Sequence, residues 1–534
     1  MKKIYLFLVA AVSALPLMAQ LPAPIEAPGE SCTSIMVGCK ASADGSVMTS
    51  HTCDGRYRTW MTIEPAADYE AGATLEVYKN TMHTNFRGDT TGVRFVGIIP
   101  QVRHTYAYLN TAYPCLNEHQ LAIGETTFGG PSELRSEKGM FMIEELQRVA
   151  LQRCTTARDA IRLIGELVKR YGYIDGGECI TIADPKEVWQ MEIVGPGKDK
   201  IGGLWVAQRI PDDHVGVSAN IPRIGKLQRH NPDYFMCSDN IERVAKQLKL
   251  WDGKGDFVWW KAFNASYANG KNFREREYFI LSTLAPSLRL RRDMDELPFS
   301  VKPDENVDVR KVIELFRSTY EGTELDMCRN LKIEVERKDE NGNPYKDSII
   351  SPIANPWMTG NATRIYNALK PGVVEFQRTV SVAWCSYSFI TQLRSWLPDA
   401  IGGICWMSVD NPGESPRVPI FCGNTRLPEP YDLCGQNKYN PDAIVWKYRR
   451  ANKLATLQWQ STKGRVSRDI MACEDKAFEG LEALEREARQ LERTGHFDEV
   501  PQLLNNYTTD IYDFTVSTWQ KLEGDCWYWF GLGF

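Results

Sequence analysis

Histidine is scarce, with seven in 534 residues, and no two stand at a metal-ligand spacing, so a histidine-built metal centre has no support. There is no Cys-x-x-Cys pair, and a structural zinc site is equally unsupported. No basic tract occurs, and the net charge is −5 from 63 basic and 68 acidic side chains, so nucleic acid is not an expected partner. Past the first twenty residues no apolar run is long enough to cross a bilayer. Gly129-Gly130 and Gly202-Gly203 lack the helix start of a phosphate loop, and no cofactor is expected. Internal repeats and low-complexity tracts are absent. Fourteen cysteines are too few for a disulfide-built scaffold of this length, although an exported chain can form several bridges. The remainder, 43% hydrophobic and 25% charged, has the composition of an ordinary soluble globular protein.

What is present starts with a leader. Lys2 and Lys3 precede an apolar run from Ile4 to Ala19, the plan of a secretory signal peptide. The run is short for a membrane anchor, the rival reading. Glu30-Ser31-Cys32 lacks the apolar and small residues of a lipoprotein site. Residues 1–19 are therefore read as a signal peptide and the chain as exported, periplasmic or secreted, with no stable membrane insertion after cleavage. Residues 20–31 hold a Pro-rich strip that resists helix and sheet. It is either a linker or a short propeptide ending at Ser31.

The order of elements points to α+β layers rather than a doubly wound sheet. Thr33–Val37 and Val47–Thr52 read as strands joined by the turn Ala43-Asp44-Gly45-Ser46. Trp60–Glu64, Thr105–Leu109 and Gln120–Glu125 read as further strands. Helical periodicity covers 137–151 and 157–171. Strand–turn–strand units follow at 179–194, cornered by Asp184, and at 203–221. Beyond about residue 235 helices are expected over 239–250, 274–290, part of 301–320, 441–458, 472–493 and 507–522, with strands at 379–393 and 401–407. The stretch 337–345 reads as a polar, turn-rich insertion. Trp259-Trp260 and Trp527-Tyr528-Trp529-Phe530 read as core or as a docked tail. The charges of 479–493 read as a solvated helix face.

Cys32 stands at the head of the first strand. A thiol needs a base to become a thiolate. An α-amine titrates near pH 8 and is partly neutral at pH 7. If scission after Ser31 made Cys32 the first residue, its own amine would relay its own thiol proton. The plain alternative is a buried or bridged cysteine, paired with Cys39 or Cys53 in a secreted binding protein.

The run Cys32-Thr33-Ser34-Ile35-Met36-Val37-Gly38, continued by Lys40-Ala41-Ser42-Ala43-Asp44-Gly45-Ser46, resembles the mature start of the cysteine dipeptidases, the dipeptidase A and secernin group of the N-terminal-nucleophile hydrolases. Three further blocks, at 116–127, 182–192 and 205–224, resemble that family in the same order, and 276–288 does so more weakly. The resemblance implies two packed antiparallel sheets between helix layers, an αββα sandwich. One domain would run from 32 to 534, with a core over 32–300 and an elaboration over 301–534 that completes the helical layers and walls the pocket. It implies self-processing and hydrolysis of dipeptides or short peptides through a thioester on Cys32. A related acylase cutting bile-salt or penicillin-like amides is the second enzyme reading. Small peptides are the implied partner, and a homo-oligomer is left open.

The family's residues carry over as follows. Cys32 is the nucleophile. Asp54 matches the acid that would position the Cys32 amine; a turn cap before Gly55 is its plain alternative. Asn220 matches an oxyanion donor, with a turn before Pro222 as its alternative. Thr127 matches a second oxyanion position, beside Glu125 and Thr126 at the cleft, and Glu125 or Asp54 would recognise a substrate's amine. His51 stands where relatives carry arginine, so a fixed cation there is weakened, and Arg56 or Arg58 would supply the charge. Arg276 matches a distal arginine, against a plain surface ion pair. Asn117 reads as structural.

Overall fold

A computed structural model describes residues 30–264 and 275–533. The leader and residues 20–29 of the Pro-rich strip lie outside the described residues. Two large antiparallel sheets organise the chain. In the first, Ser34–Val37 lies between Val215–Ser218 and Val47–Asp54, and the latter pairs in turn with Cys385–Leu393. Gly403–Val409 and Val418–Phe421 complete that side. In the second, Ala122–Thr127, Glu178–Ala183, Val188–Val194 and Leu204–Arg209 run as consecutive antiparallel neighbours.

The first turn forms as its residues dictate. Asp44 Oδ1 accepts the Ser46 backbone N–H at 3.0 Å and the Ser42 hydroxyl at 2.7 Å, and Gly45 takes φ +86°, a conformation that glycine adopts without strain. Asp184 corners the hairpin after Ala183, accepting from Lys186 and Glu187 and from the Ala157 N–H at the start of the preceding helix. Both corners are set by local Asx chemistry.

The sheets meet through small and polar side chains. Thr49 and Thr181 hydroxyls lie 2.6 Å apart across the gap, as do Thr126 and Ser218. Gly124 lets the backbones approach: a Cβ there would lie 2.4 Å from the Ser50 carbonyl oxygen. Every residue of Val47–Asp54 is buried, a central strand of its own sheet that packs face to face on the second.

Helices cover both outer faces. Ala157–Tyr171, capped by Thr156, buries Ala157, Ala160, Ile161, Ile164, Leu167 and Val168, a stripe at helical spacing, against the second sheet. Ile444–Ala455, Trp459–Glu479 and Val500–Phe530 cover the first. The architecture is the expected α+β sandwich.

Several boundaries shift. The helix expected from 137 begins at Ile143, and the one expected to 290 ends at Leu284, with Pro286 opening a separate short turn. The polar stretch 337–345 is the tip of an exposed hairpin, Lys332–Lys338 with Pro344–Ile350. Trp259 and Trp260 are buried as expected, whereas Trp527, Tyr528 and Trp529 stand exposed on the last helix and only Phe530 is buried; the cluster is not a docked tail. The region beyond 300 supplies strands as well as helices, with Cys385–Leu393, Gly403–Val409 and Val418–Phe421 all in the first sheet. Among the described residues no helix is long and apolar enough to cross a membrane.

Candidate active site

Cys32 lies two residues before the strand Ser34–Val37, at the mouth of the inter-sheet gap. Its N–H donates to Asn220 Oδ1 at 2.9 Å. Its Sγ donates to Glu125 Oε2 at 3.5 Å. Its carbonyl accepts from Arg276. It is a free thiol, as are Cys39 and Cys53. Burial pushes the thiol well above its ordinary range, and the negative charge of Glu125 adds to the shift.

Asn220 stands two residues past the strand Val215–Ser218 in the left-handed region, φ +65°, which asparagine tolerates better than most residues. That backbone turn aims its side chain at Cys32. Arg276 Nη2 also donates to Asn220 Oδ1, at 2.8 Å, and to the Ala219 carbonyl at 2.9 Å. Asn220 Nδ2 donates to the Thr127 carbonyl at 2.7 Å. With two donors on its oxygen, the amide here acts as an acceptor toward Cys32, and its NH2 group is taken by Thr127. Arg276 is buried and is no surface ion pair; desolvation, helped by nearby Arg378, lowers it to about 10.

Asp54 sits at the end of Val47–Asp54 and bridges to Ser31. Its N–H donates to the Ser31 carbonyl at 3.0 Å, and its carbonyl accepts the Ser31 N–H at 2.9 Å. Its carboxylate accepts from Thr52 Oγ1 at 2.9 Å and from Arg378 Nη2 at 2.6 Å. Arg378 also donates to the Ser31 hydroxyl at 2.6 Å. The fixed cation beside Asp54 is therefore Arg378, which sequence reasoning missed. Arg58 instead donates to Asn110 and Thr111, and Arg56 faces a cavity.

Glu125 is buried on the second sheet, its Oε1 accepting from Thr127 Oγ1 at 3.1 Å. Burial pushes it up to about 7, and Glu178, hydrogen-bonded to it from the neighbouring strand, is also pushed well above its ordinary range by burial and by the charge of Glu125. His51 is sealed among Tyr113, Tyr387 and Phe389, with Nδ1 2.6 Å from the Glu125 carbonyl oxygen. Burial lowers it to about 4, so it is neutral at pH 7. The fold brings ligand atoms of Cys32, His51 and Glu125 within 4.8 Å of one another, a grouping that no sequence spacing signalled. Asn117 is structural: its amide donates to the Leu151 and Cys154 carbonyls.

A cavity of about 720 Å³ opens beside Gly55, lined by Arg56, Trp357, Trp384, Tyr439 and Lys453 among others. Cys32 does not line it. A Cβ on Gly55 would lie 3.0 Å from Glu30 Cγ, which puts Glu30, two residues before Cys32, next to that cavity.

Two antiparallel sheets between helix layers, with a thiol at the gap between them, define an α+β hydrolase of the cysteine type. Comparison with known proteins agrees. The family described as Peptidase family C69 matches residues 31–471. The chain belongs to that family. It is 24% identical over 473 residues to a probable dipeptidase of Latilactobacillus sakei, spanning 84% of this chain and 88% of that protein. A probable dipeptidase B of Streptococcus pyogenes serotype M1 is 23% identical over 445 residues, 79% of this chain and 78% of its own. A probable dipeptidase of Salmonella dublin is 24% identical over 407 residues, 73% and 81%.

Proposed function

We propose that the protein is an exported, self-processing cysteine dipeptidase. Scission between Ser31 and Cys32 makes Cys32 the first residue, and its thiol then cleaves short peptides through a thioester. The observation that carries this reading is the setting of the Ser31–Cys32 bond. The nitrogen that would become the amine is held by Asn220, and the carbonyl to be attacked is held by the Asp54 N–H.

The uncleaved chain keeps the thiol buried and protonated. Scission changes both conditions. Loss of Glu30 and Ser31 takes away the residues that lie between Cys32 and the Gly55 cavity. The new amine adds a cationic form beside the sulfur, which favours the thiolate, and in its neutral form it is a base within the same residue. Asp54 retains a buried carboxylate oxygen with no partner, and the three donors of an ammonium suit it and Asn220 together. In catalysis the thiolate attacks the scissile carbonyl, the amine protonates the leaving nitrogen, and water releases the acyl group through the same base. The relatives' names give the substrate class, dipeptides.

Mass spectrometry of the purified protein with thiol alkylation tests the reading. A first residue of Cys32 with an alkylatable thiol is expected, together with hydrolysis of a dipeptide panel in preference to glycine-conjugated amides. Activity in Cys32→Ser equal to wild type, or full activity in a chain still carrying residues 21–31, refutes it.

A further inference from the structure

The uncleaved chain faces a difficulty of chemistry. Before scission the Cys32 nitrogen is an amide. It has no basic lone pair, and its N–H is committed to Asn220. The residue cannot serve as its own base at the step that creates its amine. We infer that Glu125 is the general base of maturation: its carboxylate takes the Cys32 thiol proton while the Ser31–Cys32 bond is still intact. The inference rests on the self-processing reading above and deepens it.

Geometry selects Glu125. Among the described residues its Oε2 is the one side-chain acceptor hydrogen-bonded to the sulfur, at 3.5 Å. Thr127 Oγ1 fixes the other oxygen, and Glu178 braces the carboxyl from the neighbouring strand. The rivals are misplaced or too weak. The Asp54 carboxylate accepts no hydrogen bond from the sulfur: one oxygen is paired with Arg378 and the other has no partner. His51 Nδ1 is tied to the backbone of Glu125, and the ring binds a proton only near pH 4.

The titratable groups that face Glu125 come from both sheets. Cys32 and Cys53 face it from the first sheet, with Asp54 beyond them. Glu178 and Asp175 face it from the second sheet and the loop before it, and both carboxyls are raised by burial. Tyr57, Tyr113, Tyr173 and Cys179 are held protonated by burial. Glu125 itself is raised to about 7, which suits a base working near neutral pH.

The step balances. A bond forms between Cys32 Sγ and the Ser31 carbonyl carbon as Glu125 accepts the thiol proton. The charge that develops on the Ser31 oxygen meets the Asp54 N–H, already 3.0 Å away. The C–N bond then breaks, and the departing Cys32 nitrogen receives the proton from Glu125. The product is a thioester of the pro-strip on Cys32 beside a free amine. Water hydrolyses that thioester: its oxygen bonds to the carbonyl carbon, the C–S bond breaks, the sulfur regains a proton, and the fragment ending at Ser31 leaves as a carboxylate with release of a proton.

The test follows maturation of the full chain made by cell-free synthesis and shifted across about pH 5 to 9, with the Cys32 terminus counted by mass spectrometry. The wild-type rate should climb with pH and level off above about 7. Glu125→Gln should slow maturation about 100-fold or more and erase the inflection. Glu125→Asp should restore part of the rate and an inflection. Maturation of Glu125→Gln at the wild-type rate with the wild-type profile overturns the inference. If thermal melting shows that Glu125→Gln does not fold, Thr127→Val decides. It removes a hydrogen bond to the charged carboxylate, so the inflection should move to higher pH, and an unmoved inflection overturns the inference. Failure of the wild-type chain to acquire a Cys32 terminus at any pH instead overturns self-processing itself.

Discussion

One guanidinium nitrogen of Arg378 serves two acceptors, the Asp54 carboxylate and the Ser31 hydroxyl, each at 2.6 Å. Asp54 is part of the site after scission, whereas Ser31 departs with the pro-strip. Arg378 therefore connects the permanent site to the segment that the proposed maturation discards, and it comes from a loop 324 residues beyond Asp54.

Arg378→Ala leaves the buried Asp54 carboxylate without its cation. Breaking such a pair costs about 3–5 kcal/mol, and the Arg378 side chain is only 13% exposed, so solvent offers Asp54 little in exchange. Arg378→Lys keeps the charge but presents a point rather than a fork, and should retain most of the stability while maturing more slowly. Urea melts and the rate at which the Cys32 terminus forms report the two effects. An alanine variant as stable as wild type would show that the pair contributes nothing.

Asn220 gives a pH prediction for the mature enzyme. Its Oδ1 lies 2.9 Å from the Cys32 nitrogen. Asn220→Asp would place a carboxylate there, and an opposite charge that close favours the protonated amine. The amine acts as base only when neutral, so the rising limb of kcat/KM should move to higher pH by about one unit. Asn220→Ala, which removes the positioning oxygen, should lower kcat/KM about 100-fold. A limb that stays in place in Asn220→Asp takes the amine out of its role as base.

What the chain discloses in advance follows from how local each signal is. The turn at Asp44 and the corner at Asp184 are built by side chains bonding backbone two or three residues away, and the order of residues suffices to find them. Resemblance singles out Cys32, Asp54, Glu125 and Asn220, and the fold brings them into one neighbourhood. Arg378 is not legible in advance, because its partners are distant in sequence and nothing in its own neighbourhood points to them. The strand Cys385–Leu393 shows every residue buried and so carries no alternation to mark which face meets which layer. The hairpin around 337–345 reads only as a turn because none of its strand residues is buried, and strand pattern depends on a buried face.

Gly124→Ala tests the close approach of the sheets. The added methyl would meet the Ser50 carbonyl oxygen at 2.4 Å and Thr181 Oγ1 at 2.7 Å. Backbone cannot yield as a side-chain tip can, so the sheets must separate just where Glu125 faces Cys32. A loss of about 3 kcal/mol or more is expected, at or beyond the usual range for overpacking, with slowed maturation. Calorimetry and terminus analysis check both, and an unchanged melting temperature would mean that the sheets accommodate the methyl without separating.

His51 predicts how stability responds to acid. Its ordinary pKa of 6.5 falls to about 4 in the folded chain, because burial penalises the imidazolium. Between these values the unfolded chain binds a proton that the folded chain refuses, so this residue's contribution to stability declines as pH drops from about 6.5 to about 4 and is constant on either side. The decline is of order 3 kcal/mol. His51→Asn removes the titrating ring while keeping polar atoms for the backbone of Glu125. The variant will be less stable at pH 7, and its deficit relative to wild type should shrink by about 3 kcal/mol as pH approaches 4. Urea melts of both proteins at a series of pH values measure the deficit directly. A deficit that stays constant across the series would mean that the folded chain protonates His51 as readily as the unfolded one, and that the ring is not sealed between the sheets.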